Sequence, residues 1–257
     1  MAIKRFYRFS YFVQTQRDRD LLIHQLRDAD ASLKISGVLS NLGYRFGGLL
    51  FNYPANADRT IPVDSSFLRP GDLLLLTTRP PLDDELDRTR SRLQRSHTTL
   101  EDKVFACLEQ YFHHCSRAEV VLTKSLASRL PKQIAERREV VFREYGGAFC
   151  ERYSGRTRRR HLLTTITYMT FTPEAWPKGP GLLTVFGMGG PETLIWAHVL
   201  RTRFAHLVCS RSFVMAEMTE QVVPSGELDL SFSDRWQVNL LAEIPLDEVK
   251  GKPRAAL

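Results

Sequence analysis

Long apolar stretches are absent. No uninterrupted run exceeds five residues, as at Val104–Leu108, and Leu73–Leu76 is a run of four, whereas a membrane-spanning helix needs roughly 20. Met1 to Ser10 (MAIKRFYRFS) lacks the apolar stretch of a secretory leader, so the expectation is a soluble, cytoplasmic chain with no membrane contact. Cysteine is scarce: Cys107, Cys115, Cys150 and Cys209 are the only four, and none stands in a C-x-x-C pair. That spacing excludes a disulfide framework and a zinc ribbon. Gly (15) and Pro (13) are at ordinary levels in 257 residues, which excludes collagenous and low-complexity chains. The chain also has no G-x-S-x-G elbow, no G-x-x-x-x-G-K-[ST] loop and no H-E-x-x-H. The common hydrolase, NTPase and zincin readings therefore lose their local signatures. No repeat of 20 to 50 residues is visible.

What is present is a globular composition, with 43% hydrophobic and 10% aromatic residues. Strand-like runs open the chain at Phe6–Gln14 and recur at Tyr44–Tyr53 and Asp72–Thr78, the last introduced by the turn Arg69-Pro70-Gly71. Between the first two, Leu21, Leu22, Leu26 and Ala29 give Asp18–Leu33 a helical spacing. The pair Gly47-Gly48 inside a strand reads as a bulge or a close backbone approach. From Pro81 to Cys115 the pattern predicts one long helix, charged in its first half and apolar-striped in its second, with Leu100, Val104, Phe105, Cys107, Leu108 and Phe112. Such a half-polar helix predicts a contact with a second subunit or a partner protein. The trio His113, His114 and Cys115 then falls at a helix end, where His suits the dipole, rather than forming a metal site.

In the second half, Ala118–Thr123 reads as a strand, Lys124–Arg137 as a helix and Glu139–Phe142 as a strand. His161–Phe171, rich in Thr, Ile and Tyr, has the strongest β propensity. Leu182–Phe186 then runs through glycines into a helix to Phe204, followed by strands at His206–Cys209, Leu228–Phe232 and Gln237–Ile244. The expected fold is α/β, with mixed α+β as the alternative: a central mixed sheet, a βαβ unit near the C-terminus and the long helix at about 81–115. A soft boundary near 116 divides a strand-rich half, 1–115, from an α/β half, 116–257, unless both form one continuous domain.

The formal charge of +7 is concentrated. Residues 117–160 hold twelve basic side chains against five acids, so the rest of the chain is balanced. The densest point is Ser154-Gly155-Arg156-Thr157-Arg158-Arg159-Arg160-His161. Arg152, Arg156, Arg158, Arg159 and Arg160 are candidate nucleic-acid contacts, because guanidinium groups pair bidentately with phosphate oxygens. A solvated turn is the bland alternative.

The sharpest local pattern is a strand, the turn Gly187-Met188-Gly189-Gly190 and a helix opened by Pro191, a residue favoured at the first helical position. Backbone N–H groups there face one spot with the positive helix end behind them, an anion site in principle. Ser210 and Arg211 follow about 20 residues on, where a dinucleotide fold would bind ribose hydroxyls or a 2′-phosphate. The candidate ligand-binding set is Gly187, Gly189, Gly190, Thr193, Ser210 and Arg211. Glu192 stands where a third glycine is expected, and no acid occurs from Thr193 to Ala216, which disfavours NAD and S-adenosylmethionine and leaves NADP or another nucleotide. His198, His206 and Cys209 flank this helix, more simply read as core residues than as a Cys-His pair. The sequence thus predicts a protein binding a phosphorylated small molecule, with a nucleic-acid-binding or assembly role through 117–160 as the alternative.

Overall fold

In a computed structural model, the described residues are 3–10, 18–51, 53–56, 59–61, 65–80, 82, 100–115, 120–132, 162–187, 189–221 and 236–246. In chain order the elements are β1 (Arg5–Ser10), α1 (Asp18–Asn41), β2 (Arg45–Phe51), β3 (Tyr53–Asn56), β4 (Arg59–Ile61), β5 (Leu73–Leu76), α2 (Leu100–Leu108), β6 (Phe112–Cys115), β7 (Val120–Leu122), α3 (Lys124–Ala127), β8 (Leu162–Thr172), β9 (Gly181–Gly187), α4 (Gly190–Thr202), a 3-10 turn (Ala205–Leu207), β10 (Arg211–Gln221) and β11 (Trp236–Pro245).

Seven strands form one mixed sheet in the order β11-β10-β8-β9-β5-β1-β2. The pairs β2/β1, β1/β5 and β5/β9 are parallel, while β9/β8, β8/β10 and β10/β11 are antiparallel. The fold is α/β, and strands from both sides of residue 116 share the sheet.

Strand alternation divides the core into two layers. Along β5, Leu73 and Leu75 face one layer with Phe6, Val185, Val214 and the apolar sides of α1 and α4. Leu74 and Leu76 face the other, with Tyr7, Phe105, Tyr111, Phe112, Tyr168, Phe186 and Phe213. All four β5 leucines are buried, as expected for a parallel strand covered on both faces. Aromatic rings fill the second layer: Phe112 meets Phe186 edge-on at 5.4 Å, and Tyr168 stacks on Phe186 at 5.2 Å.

Two β-α-β crossovers, β1-α1-β2 and β9-α4-β10, have their helices on one face. They step towards opposite edges of the sheet from parallel starting strands. Their hands are therefore opposite, and one of them departs from the right-handed rule. The second crossover also skips a strand, because antiparallel β8 lies between β9 and β10.

The bulge expected at Gly47 is found. Phe6 pairs with Phe46 and Tyr7 with Gly48, so Gly47 is the bulged residue. A Cβ on it would also lie 2.5 Å from the Tyr7 ring.

Three elements differ from the sequence expectation. Helix α1 continues past Leu33 to Asn41, carried by Ile35, Val38 and Leu39 against the sheet. Phe112–Cys115 is a strand and not the end of a long helix: α2 ends at Leu108, the chain turns at Tyr111, and β6 pairs with β7. Cys115 additionally exchanges two backbone hydrogen bonds with Leu82. These pairing partners outweigh the local helical period. His206–Cys209 is a 3-10 turn and bend, and the strand begins only at Arg211. The charged half of the 81–115 stretch, residues 83–99, lies outside the described residues, as do 133–161 with the strand expected at Glu139–Phe142, and 222–235 with that at Leu228–Phe232. No helix among the described residues is long and apolar enough to cross a membrane.

Candidate functional site

The turn after β9 lies at the end of a fully buried strand, beside parallel β5 and antiparallel β8. Gly187 is there because the helix comes too close for a side chain. A Cβ would lie 2.6 Å from the Glu192 Cβ and 3.0 Å from its carbonyl carbon. The Gly187 N–H donates to Thr193 Oγ1 at 2.9 Å, and the Thr193 hydroxyl donates onward to the Gly189 carbonyl at 2.9 Å. Both groups are thereby spent on shaping the turn. Gly189 is the N-cap, extended at φ −143° and ψ 176°, and no side chain caps the helix. The leading N–H groups of a helix lie outside its ladder, and Gly189 adds nothing to cover them. Glu192 is 1% exposed in the first turn, where the positive pole of α4 favours a carboxylate. Met188 lies outside the described residues.

Ser210 and Arg211 do not join this turn. β10 runs parallel to β9 with β8 between them, so its first residues lie at the end of the sheet where β9 begins. Helix α4, about 20 Å long at 1.5 Å per residue, separates the two groups. There Arg211 Nε pairs with Glu243 Oε2 at 3.4 Å, and the Ser210 hydroxyl donates to the His206 carbonyl. A strand at His206–Cys209 would have brought Ser210 and Arg211, just after its end, to the glycine turn. The strand that begins at Arg211 instead puts them at the opposite end of the sheet.

The arginine candidates Arg152, Arg156, Arg158, Arg159 and Arg160 lie outside the described residues. β8, however, starts at Leu162, and Thr167 is level with Gly187. The start of β8 and the end of β9 therefore share one end of the sheet.

Among the described residues the histidines and cysteines are dispersed. In β6, Phe112 and Cys115 are buried while His113 is exposed, because His113 is skipped in the pairing with β7. Burial pushes the Cys209 thiol up to about 12, which keeps it protonated and poorly nucleophilic. No group of three or more His, Cys, Asp or Glu side chains suited to a metal ion occurs among the described residues.

One feature had no signal in the sequence. Asp30, Leu33 and Lys34 of α1 and Leu194 and Arg201 of α4 line a groove between the helices. It exists only because two helices 160 residues apart, roughly, pack side by side. His198 beside it is held below its ordinary value by partial burial, then by the charges of Lys34, Arg201 and Arg203.

No protein-family model, no curated protein and no solved structure matches this chain.

Proposed function

We propose that the protein binds a phosphorylated ligand, a nucleotide such as NADP, at the sheet end formed by Gly187, Gly189 and Gly190. The observation that carries this reading is a convergence in chain topology. β8 enters the sheet from the end at which β9 leaves it, with Thr167 level with Gly187 and Leu162 five residues, roughly 17 Å, further out, and the sequence immediately ahead of Leu162 is Arg158-Arg159-Arg160-His161. A helix N-terminus offers backbone donors and a positive pole to an anion, and guanidinium groups add bidentate partners. Gly189 and Gly190 are assigned the phosphate. Gly187 and Thr193 hold the turn in shape, and the arginine segment takes the second anionic group in place of Ser210 and Arg211. Such a protein would act in the cytoplasm.

The test is thermal shift against NADP, NAD, ATP and S-adenosylmethionine, repeated with Gly189→Asp. An aspartate is at least as good an N-cap as glycine, so the fold survives, while its charge opposes an anion. A stabilising ligand whose effect disappears in Gly189→Asp supports the site. No stabilisation at millimolar concentration by any of the four removes the small-ligand reading.

A second reading, a nucleic-acid-binding or assembly component, is favoured by the concentration of twelve basic residues in 117–160. Under it, the triple change Arg158→Ala, Arg159→Ala, Arg160→Ala weakens binding across DNA and RNA sequences and flattens the salt dependence. Parental binding by the triple variant would reject that role for the loop.

A further inference from the structure

Four of the six exposed large apolar side chains among the described residues lie along one edge of the sheet: Ile3, Leu42, Phe46 and Leu49, each 46–57% exposed. β2 is the last strand there and, among the described residues, pairs only with β1. The Lys4 carbonyl accepts the Arg45 N–H, so Ile3 stands beside the start of β2, and Leu42 belongs to the turn that leads into it. Phe46 is level with Phe6 and Leu49 with Arg8. Phe6 and Arg8 are two apart on β1 and share the helix-side face. Phe46 and Leu49 therefore stand on that same face, with Gly47 and Gly48 between them. Sheet edges ordinarily carry charge, Pro or polar side chains that discourage pairing. β11, at the opposite edge, has them: Gln237, Asn239, Glu243 and Pro245 are exposed. From Phe46 to Phe51, β2 has no charged residue and no Pro, and its one irregularity is the bulge at Gly47.

We propose that β2 pairs antiparallel with β2 of a second copy of this chain, across a two-fold axis that passes between Gly47 and Gly48 perpendicular to the sheet. The product is a homodimer with one continuous sheet. This axis keeps both helix layers on the same side and sets Phe46 of each copy opposite Leu49 of the other, on one face as a cross-strand pair requires. Glycines meet glycines at the centre, where no side chain holds the backbones apart. The register is self-complementary, the condition for a closed two-fold contact. Charge selects the direction. Lys4, Arg5 and Arg45 are exposed at one end of this edge. Antiparallel pairing parts the two Arg45 residues by roughly 17 Å, beyond the screening length of about 8 Å in physiological salt. Parallel pairing would bring all three cations of each copy together. The four apolar side chains and a strand edge roughly 20 Å long cover on the order of 1,000 Å² across two copies, the lower limit for a specific interface. A reversible dimer is therefore expected, with weak affinity. The two-fold also sends the glycine turns of the two copies to opposite ends of the joined sheet, so pairing is independent of ligand binding there.

The test is sedimentation velocity of the full chain from micromolar to submillimolar concentration, with amide exchange of residues 45–50 followed over the same range. A monomer–dimer equilibrium without larger species is expected, and exchange along β2 should slow as concentration rises. Leu49→Lys, at an exposed position, should leave the melting transition in place and weaken the dimer about tenfold or more, because it sets a buried charge against Phe46 of the other copy. Adding Phe46→Glu to Leu49→Lys should restore dimerisation, since each new carboxylate then faces a new ammonium across the two-fold. Gly189→Asp should leave the equilibrium unchanged. A chain that stays monomeric with fast exchange at β2 overturns the proposal. Slow exchange independent of concentration also overturns it, since another segment of the same chain then covers the edge. A dimer indifferent to Leu49→Lys shows that a different surface associates, and open-ended growth excludes the closed two-fold. Failure of the double variant to recover, while it melts as the parent does, overturns the pairing of Phe46 with Leu49.

Discussion

The Gly187 N–H donates to the Thr193 hydroxyl at 2.9 Å, tying the last residue of β9 to the first turn of α4. The same hydroxyl donates to the Gly189 carbonyl, so one side chain closes the whole turn. Thr193→Val keeps the shape and removes both bonds, leaving a buried N–H without its acceptor. The expected cost is about 1–3 kcal/mol, read from urea denaturation, with Thr193→Ser close to the parent. A Thr193→Val protein as stable as the parent would show that the turn does not depend on this bond.

Gly187→Ala tests the close approach itself. Its Cβ would meet Glu192 at 2.6 Å, partly against backbone, so the start of α4 must move. Overpacking of this kind costs about 1–3 kcal/mol. Combining it with Thr193→Val should give less than the sum, since both loosen the same turn.

Asp72 anchors the opposite end of the sheet. Its carboxylate accepts the Arg5 N–H and the Arg69 N–H, each at 3.1 Å, joining the start of β1 to the turn before β5. Asp72→Asn keeps only one oxygen acceptor and should cost about 1.5–3 kcal/mol, the range for a bond to a charged group. Amide exchange at Arg5 and Arg69 should quicken together.

The thiols make the fold sensitive to alkali. Burial pushes Cys107 up to about 11 and Cys209 up to about 12, from an ordinary value of 9.0. Between these limits the unfolded chain has already released thiol protons that the folded chain retains, so stability falls as pH rises. The contribution is complete below pH 9 and lost on passing through the folded values. Urea midpoints should hold up to about pH 8.5 and decline above it, less steeply in Cys107→Ala and Cys209→Ala. At pH 8, alkylation of both thiols should be slow until the protein is unfolded.

Much of the scaffold was legible because it rests on local chemistry. The expected strand at His161–Phe171 is found as Leu162–Thr172, from its β-branched and aromatic run. The strand, glycine turn and Pro-led helix appear as β9 and α4. Gly47 sits in a bulge, as a glycine inside a strand pattern suggests. Each of these is decided within a few residues by side-chain shape and turn geometry.

What the residues by themselves determined, then, is which short segments are extended, which are helical and where a glycine must stand. Only the tertiary structure decided the partners. Phe112–Cys115 carries a helical stripe but becomes a strand because Leu82 and β7 lie alongside. Ser210 and Arg211 follow the glycine turn in sequence yet lie at the other end of the sheet, because no strand ends at Cys209 and β10 begins at Arg211. The groove of Asp30, Lys34 and Arg201 arises where two distant helices pack on one face. Local periodicity is set by neighbours along the chain, whereas pairing and strand direction are set by the burial of apolar faces contributed from far apart in sequence.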